Sequence, residues 1–263
     1  MILDKKYYKE YPLVIGLAGK AASGKTSVAE SIVPKASVNP VSNSIIWDHI
    51  FFTLPLYEIA SIKRTTLGLR QKDRQLFAIH QVLFDLFGGS ALGNIPDYRH
   101  FTDLVEQIYA LPIEQEPLKP RSFLQKAGDL CRLYDPECFA KWVIYKASKM
   151  HRSIISADSY EENELPVGII ISDVRFVNEA SKILGHPNGM VIYFDASDET
   201  RNARMMKRDG MLMTEAQSSH VSEQECDLVK GLASAIINTD NMSMEGQASQ
   251  TIQIINGYIN AYA

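Results

Sequence analysis

Residues 13–26 read Leu13-Val14-Ile15-Gly16-Leu17-Ala18-Gly19-Lys20-Ala21-Ala22-Ser23-Gly24-Lys25-Thr26. The first six are apolar or glycine, a run that fits a strand covered on both faces. The last eight match G-x-x-x-x-G-K-[ST]. From Thr26 to Val33 the spacing predicts a helix stopped near Pro34, which lacks the amide donor that a continuing helix needs. Strand, glycine loop and helix form the context in which this pattern cradles phosphate. The glycines let the backbone curl until successive amides face phosphate oxygens, and the helix adds its positive N-terminal end. Gly19, Lys20, Ala21, Ala22, Ser23, Gly24, Lys25, Thr26 and Ser27 are therefore the candidate ATP site. Lys25 is placed to reach the β- and γ-phosphates and Thr26 to offer its hydroxyl to Mg²⁺.

Working outward, other apolar runs also end in a polar residue. Ser44-Ile45-Ile46-Trp47 leads into Asp48, Gly168 to Ser172 into Asp173, Met190 to Phe194 into Asp195, and Ala235 to Ile237 into Asn238. Helical patterns lie between them, at Lys72 to Phe87 before Gly88-Gly89 and over Leu130 to Met150 with a break at Asp135-Pro136. A loop is expected around Ser159 to Glu164. Strands alternating with helices predict an α/β fold, a P-loop three-layer sandwich whose parallel sheet binds ligand at the carboxyl ends of its strands. That is where the glycine loop, Asp48 and Asp173 are expected. The core is expected over 1–53 and 165–263, and the long interval 54–164 as a largely helical insertion that binds the acceptor.

Asp173, at a strand end, is a candidate to hold the metal ion with Thr26, through a water. Arg175 is placed either to face an anionic substrate or to pair with Glu179 at helical spacing. Arg201, Arg204 and Arg208, at i, i+3 and i+7, occupy one helix face. That face leads into the polar, methionine-bearing stretch from Asp209 to Ser219, a candidate lid over about 204–222. A lid delivers cations to a transferring phosphoryl group while excluding water, so Arg204 and Arg208 join Lys25 as catalytic candidates.

The chain has 263 residues, 46% hydrophobic and 22% charged, which suits a folded globular protein. A net charge of -4 argues against a nucleic-acid polymer as partner. No apolar run reaches membrane-spanning length, and the start to Glu10 carries Lys and Glu where a signal peptide has an apolar core. A cytoplasmic setting with no membrane partner is expected. Cys131, Cys138 and Cys226 lack C-x-x-C spacing and read as small buried thiols.

Several blocks together resemble the phage-type deoxynucleoside monophosphate kinases. They are the glycine loop, Arg121-Ser122-Phe123-Leu124-Gln125-Lys126-Ala127-Gly128 with Arg132 and Trp142, Ser172-Asp173-Val174-Arg175-Phe176-Val177-Asn178-Glu179-Ala180, and His220-Val221-Ser222-Glu223. The resemblance implies a nucleoside monophosphate kinase fold, with ATP and Mg²⁺ as cofactors and a small nucleotide as acceptor. It also implies that Arg121, Gln125, Arg132 and Arg175 line the acceptor and that Asn238 lies near the segment packing by the adenine. A homodimer is compatible with it. Where the family has F-A-D-P-L-K, this chain has Phe52-Thr53-Leu54-Pro55-Leu56-Tyr57, with Leu54 for the acid and Tyr57 for the lysine. Asp48 is the candidate replacement carboxylate and substrate-orienting group. It also matches the position of an acid in dephospho-coenzyme A kinases. Two other readings therefore stand beside the first, a kinase for another small acceptor and a nucleotide-binding protein that does not transfer phosphate.

Overall fold

The apolar runs form five strands: β1 (Leu13–Ala18), β2 (Ile46–Phe51), β3 (Val167–Val174), β4 (Gly189–Asp195) and β5 (Ala235–Asn238). The computed structural model describes residues 10–33, 46–65, 70–88, 98–113, 119–156 and 167–262. Pro34, Ser44, Ile45, Gly89 and the expected loop at Ser159 to Glu164 lie outside them. All described strand pairs are parallel, in the order β2-β3-β1-β4-β5. The expected α/β class, a P-loop three-layer sandwich, is the fold found.

The sheet is apolar on both sides because helices cover both. On one face α1 (Lys25–Ile32) and α11 (Met244–Tyr262) bury Leu13, Ile15, Leu17, Ile170, Ile192 and Phe194 against Val28, Ala29, Ile32 and Ile255. On the other, Ile183 of α7 (Val177–Leu184) lies within reach of Gly16, Val174 and Val191, and α10 (Val221–Leu232) packs beside α7 on β1 and β4. Each fully buried Leu, Ile or Phe here contributes about 1.5–3 kcal/mol by leaving water. β3 and β4 are joined through α7, while β4 and β5 are joined through α8 (Asp198–Asp209), the four-residue α9 (Glu215–Ser218) and α10.

The chain divides into two units, the sheet unit (1–51 and 143–263) and a helical unit over Phe52–Trp142. In the helical unit, α2 (Leu54–Arg64), α3 (Gln71–Leu86), α4 (Tyr98–Ala110), α5 (Arg121–Tyr134) and the start of α6 (Cys138–Ile155) bury Leu56, Ile59, Ile79, Leu83, Phe101, Ile108 and Phe123. Gln75, 3% exposed, donates to the carbonyls of Ile62, Lys63 and Thr65 at 2.9, 3.3 and 3.0 Å and so satisfies the end of α2. Asp135 ends α5 in an extended conformation and its carboxylate accepts the Glu137 N–H at 2.9 Å, which makes the break expected at Asp135-Pro136. All three cysteines are free and buried. No helix among the described residues is long and apolar enough to cross a membrane.

One placement differs from expectation. Asp48 is not at a carboxyl end, because β2 runs on through His49, Ile50 and Phe51, which pair with Ile170, Ile171 and Ser172. Three further residues at ~3.3 Å each leave Asp48 about 10 Å short of the strand end. Its Oδ1 accepts the N–H of His49 at 2.7 Å. On an edge strand such a carboxylate discourages pairing with another chain.

Candidate active site

The glycine loop owes its shape to two glycines that admit no side chain. Gly19 has φ 137° and a Cβ there would lie 2.5 Å from the Phe194 carbonyl oxygen. Gly24 has φ 109°, and its Cβ would lie 2.4 Å from Gln247 Oε1. Ala22, at φ 62°, takes the left-handed region without being glycine. The turn closes with Ser23 N–H to Lys20 O at 3.3 Å, and α1 begins with Val28 N–H to Gly24 O at 3.0 Å. No side chain caps α1 and its first turn has no acid, so the positive end of the helix is not offset from within the helix itself.

Lys25, 4% exposed, folds over this loop, donating to the carbonyl oxygens of Gly19 and Lys20, the latter at 2.9 Å, and reaching Ser23 Oγ at 3.4 Å. Burial, helped by the nearby Arg175 cation, lowers its pKa to about 8 against the opposing pull of Asp173, Cys226 and Glu223. Thr26 and Ser27 are exposed in the first turn of α1.

Asp173 does not simply end its strand. Leu17 pairs with Ser172 and Ala18 with Val174, so Asp173 is the extra residue of a bulge and has φ 74°. Bulges re-aim side chains beside sites, and here the carboxylate accepts Arg175 Nε–H at 2.7 Å. The other end of the Arg175 guanidinium pairs with Glu223. Glu179, the other candidate partner of Arg175, meets its backbone: the carboxylate accepts the N–H groups of Arg175 at 3.0 Å and Phe176 at 3.2 Å, capping α7. Although burial disfavours the cation, the two carboxylates raise the Arg175 pKa well above its ordinary value.

Glu223, given no role of its own by the sequence, is central here. At 4% exposure, its carboxylate accepts the Ala21 N–H at 3.1 Å, pairs with Arg175, and lies 3.8 Å from Arg201. Burial pushes its pKa up, but Arg175, the Ala21 amide, Lys25 and Arg201 together hold it below the ordinary carboxylate value. Its separation from Ala21 by 202 positions explains why no local signal marked it. His49 was also missed. Its Nε2 lies 2.7 Å from Ser172 Oγ, the diagonal neighbour across β2 and β3, and burial lowers its pKa against the pull of Glu30 and Asp48.

The arginine face divides between two tasks. Arg201, 7% exposed, donates to Ala21 O at 3.0 Å and Asp198 at 2.9 Å. Arg204 donates to Ser23 O at 3.2 Å, Thr239 Oγ1 at 3.0 Å and Thr239 O at 2.6 Å. Arg204, grouped with the lid by its spacing, is instead tied to the Ser23 carbonyl and to Thr239, where it anchors the loop. Arg208, half exposed, forks onto Asp209 at 2.7 and 2.6 Å.

Asn238 is exposed at the end of β5, where its side chain accepts the Asp240 N–H at 3.0 Å. Its neighbour Thr239, fully buried, donates to Ser23 O at 3.1 Å and joins β5 to the loop. Arg121, Gln125 and Arg132 belong to the helical unit, half buried along one stripe of α5, with the Arg132 guanidinium 4.6 Å from the centre of the Phe139 ring.

No protein-family model matches the chain, and no curated protein matches it. Solved structures similar to it include TT1252 from Thermus thermophilus, at 13% identity and a TM-score of 0.42 over 94% of this chain and 97% of that one. A dephospho-CoA kinase from Campylobacter jejuni is similar at 15% identity and 0.41, over 92% and 97%. An uncharacterized protein from Eubacterium ventriosum is similar at 10% and 0.36, over 94% and 99%. Likenesses this distant leave the chemistry to be argued from the chain's own residues.

Proposed function

We propose that this chain is an ATP-dependent phosphotransferase that moves the γ-phosphoryl group to the phosphate of a deoxynucleoside monophosphate. The observation that carries the reading is the loop itself: Gly19, Ala22 and Gly24 at positive φ, opening into a helix whose N-terminus has no side-chain cap or acid. Such an end attracts phosphate through its amides and dipole. The buried Lys25 ammonium supplies a cation beside it, and Thr239, Arg204 and Arg201 keep the loop from collapsing. Preorganised donors of this kind stabilise transition-state charge without having to rearrange.

The exposed Thr26 hydroxyl at the start of α1 fits a Mg²⁺ ligand, with Asp173 acting through water. The ion would supply charge neutralisation at the β- and γ-oxygens. Lys25 would stabilise the negative charge on the β- and γ-phosphates as the γ group transfers, and Arg208 is the lid cation in this reading. A phosphate acceptor is already an anion, so alignment matters more than a general base. The acceptor class, its contacts with Arg121, Gln125 and Arg132, a role for Asn238 near the adenine and a cytoplasmic setting rest on the resemblance of the sequence blocks.

A second reading, transfer to a hydroxyl as in dephospho-coenzyme A kinases, is favoured by His49. Its burial-lowered pKa keeps the ring neutral at pH 7, next to the bulge that carries Asp173, and able to take a proton. The two readings separate in one assay of ADP formation with a panel of deoxynucleoside monophosphates and dephospho-coenzyme A. The first expects turnover with a monophosphate that Lys25→Ala abolishes. Turnover with the hydroxyl acceptor alone, lost in His49→Gln, replaces it with the second. Background rates with every acceptor remove both.

A further inference from the structure

Ala21 is gripped on both its polar groups by side chains that flank the candidate lid. Arg201, on α8 before that segment, donates to the Ala21 carbonyl at 3.0 Å. Glu223, in the first turn of α10 after it, accepts the Ala21 N–H at 3.1 Å. One turn further along α10, Asp227 holds the Lys20 ammonium at 2.9 Å. The same Glu223 carboxylate pairs with Arg175, which holds Asp173 in its bulge. One acid thus touches the phosphate loop and the arginine that fixes the metal-site candidate.

Geometry at both ends supports α8 and α10 as firm mounts. Ser197 caps α8 by accepting the Thr200 N–H at 3.2 Å, and His220 Nδ1 caps α10 by accepting the Ser222 N–H at 3.2 Å. Between them, Gly210 takes φ 70° with nothing within 4 Å of where a Cβ would be, so the chain turns there without packing constraint. We infer that Arg201 and Glu223 are positioning residues: held by α8 and α10, they set the shape of the ATP loop through Ala21. The inference rests on the proposed ATP reading. With its amide taken by Glu223, and that of Ser23 by the Lys20 carbonyl, Ala21 is a fixed point of the loop.

The test uses the full chain and two readouts. Amide exchange of the 19–24 segment is measured without nucleotide, and KM for ATP, KM for the acceptor and kcat are measured at steady state. Glu223→Gln keeps the side chain's shape and removes its charge. Losing a charge-assisted hydrogen bond predicts about tenfold faster exchange at Ala21 and about a tenfold rise in KM for ATP, with the acceptor KM within about twofold. A merely structural role lowers the active fraction, and so kcat, with both KM values and the exchange rate unchanged; that result overturns the inference. Should Glu223→Gln fail to fold, Arg201→Gln tests the carbonyl side of the clamp by the same two criteria. If wild type shows no ATP turnover, the ATP reading fails by itself, while unaltered Ala21 exchange in the variants refutes the clamp.

Discussion

Gly24→Ala should destabilise the sheet unit by about 2–4 kcal/mol. The figure is the sum of two costs. At φ 109° an L-residue is strained, at about 1–3 kcal/mol. The new methyl would also sit 2.4 Å from Gln247 Oε1, and Gln247, 5% exposed, donates through Nε2 to Met242 O at 3.2 Å. Swinging that amide away forfeits a hydrogen bond worth about 1 kcal/mol. A double-mutant cycle separates the terms. Gln247→Ala alone should cost about 1 kcal/mol, and in its presence Gly24→Ala should cost about 1 kcal/mol less, because the clash is gone and the backbone strain persists. Urea denaturation followed by circular dichroism measures all four proteins, with unchanged slope as the check that only stability moved. A cost for Gly24→Ala below about 0.5 kcal/mol, within the range of surface changes, would refute the strain argument. No relief in the double variant would refute the steric one.

Two pH dependences follow from burial. With the Lys25 pKa lowered to about 8 from 10.5, the free protein loses this cation within the accessible range. ATP affinity of the free protein should therefore fall above about pH 8, and the fall should be absent in the weaker binding of Lys25→Met; an unbroken plateau to pH 9.5 in wild type would contradict the assignment. His186 is lowered to about 4 from 6.5 by burial and by the neighbouring His151, so the folded state favours the neutral ring. A folded pKa below the unfolded one contributes stability that is complete above pH 6.5 and is lost as pH falls towards 4. Allowing for partial exposure, the loss is about 1 kcal/mol. Urea unfolding at pH 7 and 4.5 should show a smaller difference in His186→Gln than in wild type, and equal differences would discard the claim.

What the sequence by itself determined is local. Apolar runs against the 3.6-residue pattern marked β1, α1, β3, β4 and α3, and the Gly19–Thr26 spacing marked the loop, because backbone dihedrals and phosphate geometry are settled by neighbours in the chain. The break at Asp135-Pro136 was legible for the same reason. Tertiary structure alone decided the strand order β2-β3-β1-β4-β5, the bulge that gives Asp173 its aim, and the interior position of Asp48, since pairing and register depend on strands remote in sequence. It also decided the arginines. Spacing grouped Arg201, Arg204 and Arg208 on one face, but a guanidinium turns to whichever acceptors the fold brings within reach. For Arg201 and Arg204 those acceptors are loop carbonyls some 180 positions away, and for Arg208 the neighbouring Asp209. Glu223 is the sharpest case. An unremarkable acid in the first turn of a helix becomes the tie between Ala21 and Arg175 because burial leaves its charge no partner but those the fold brings to it.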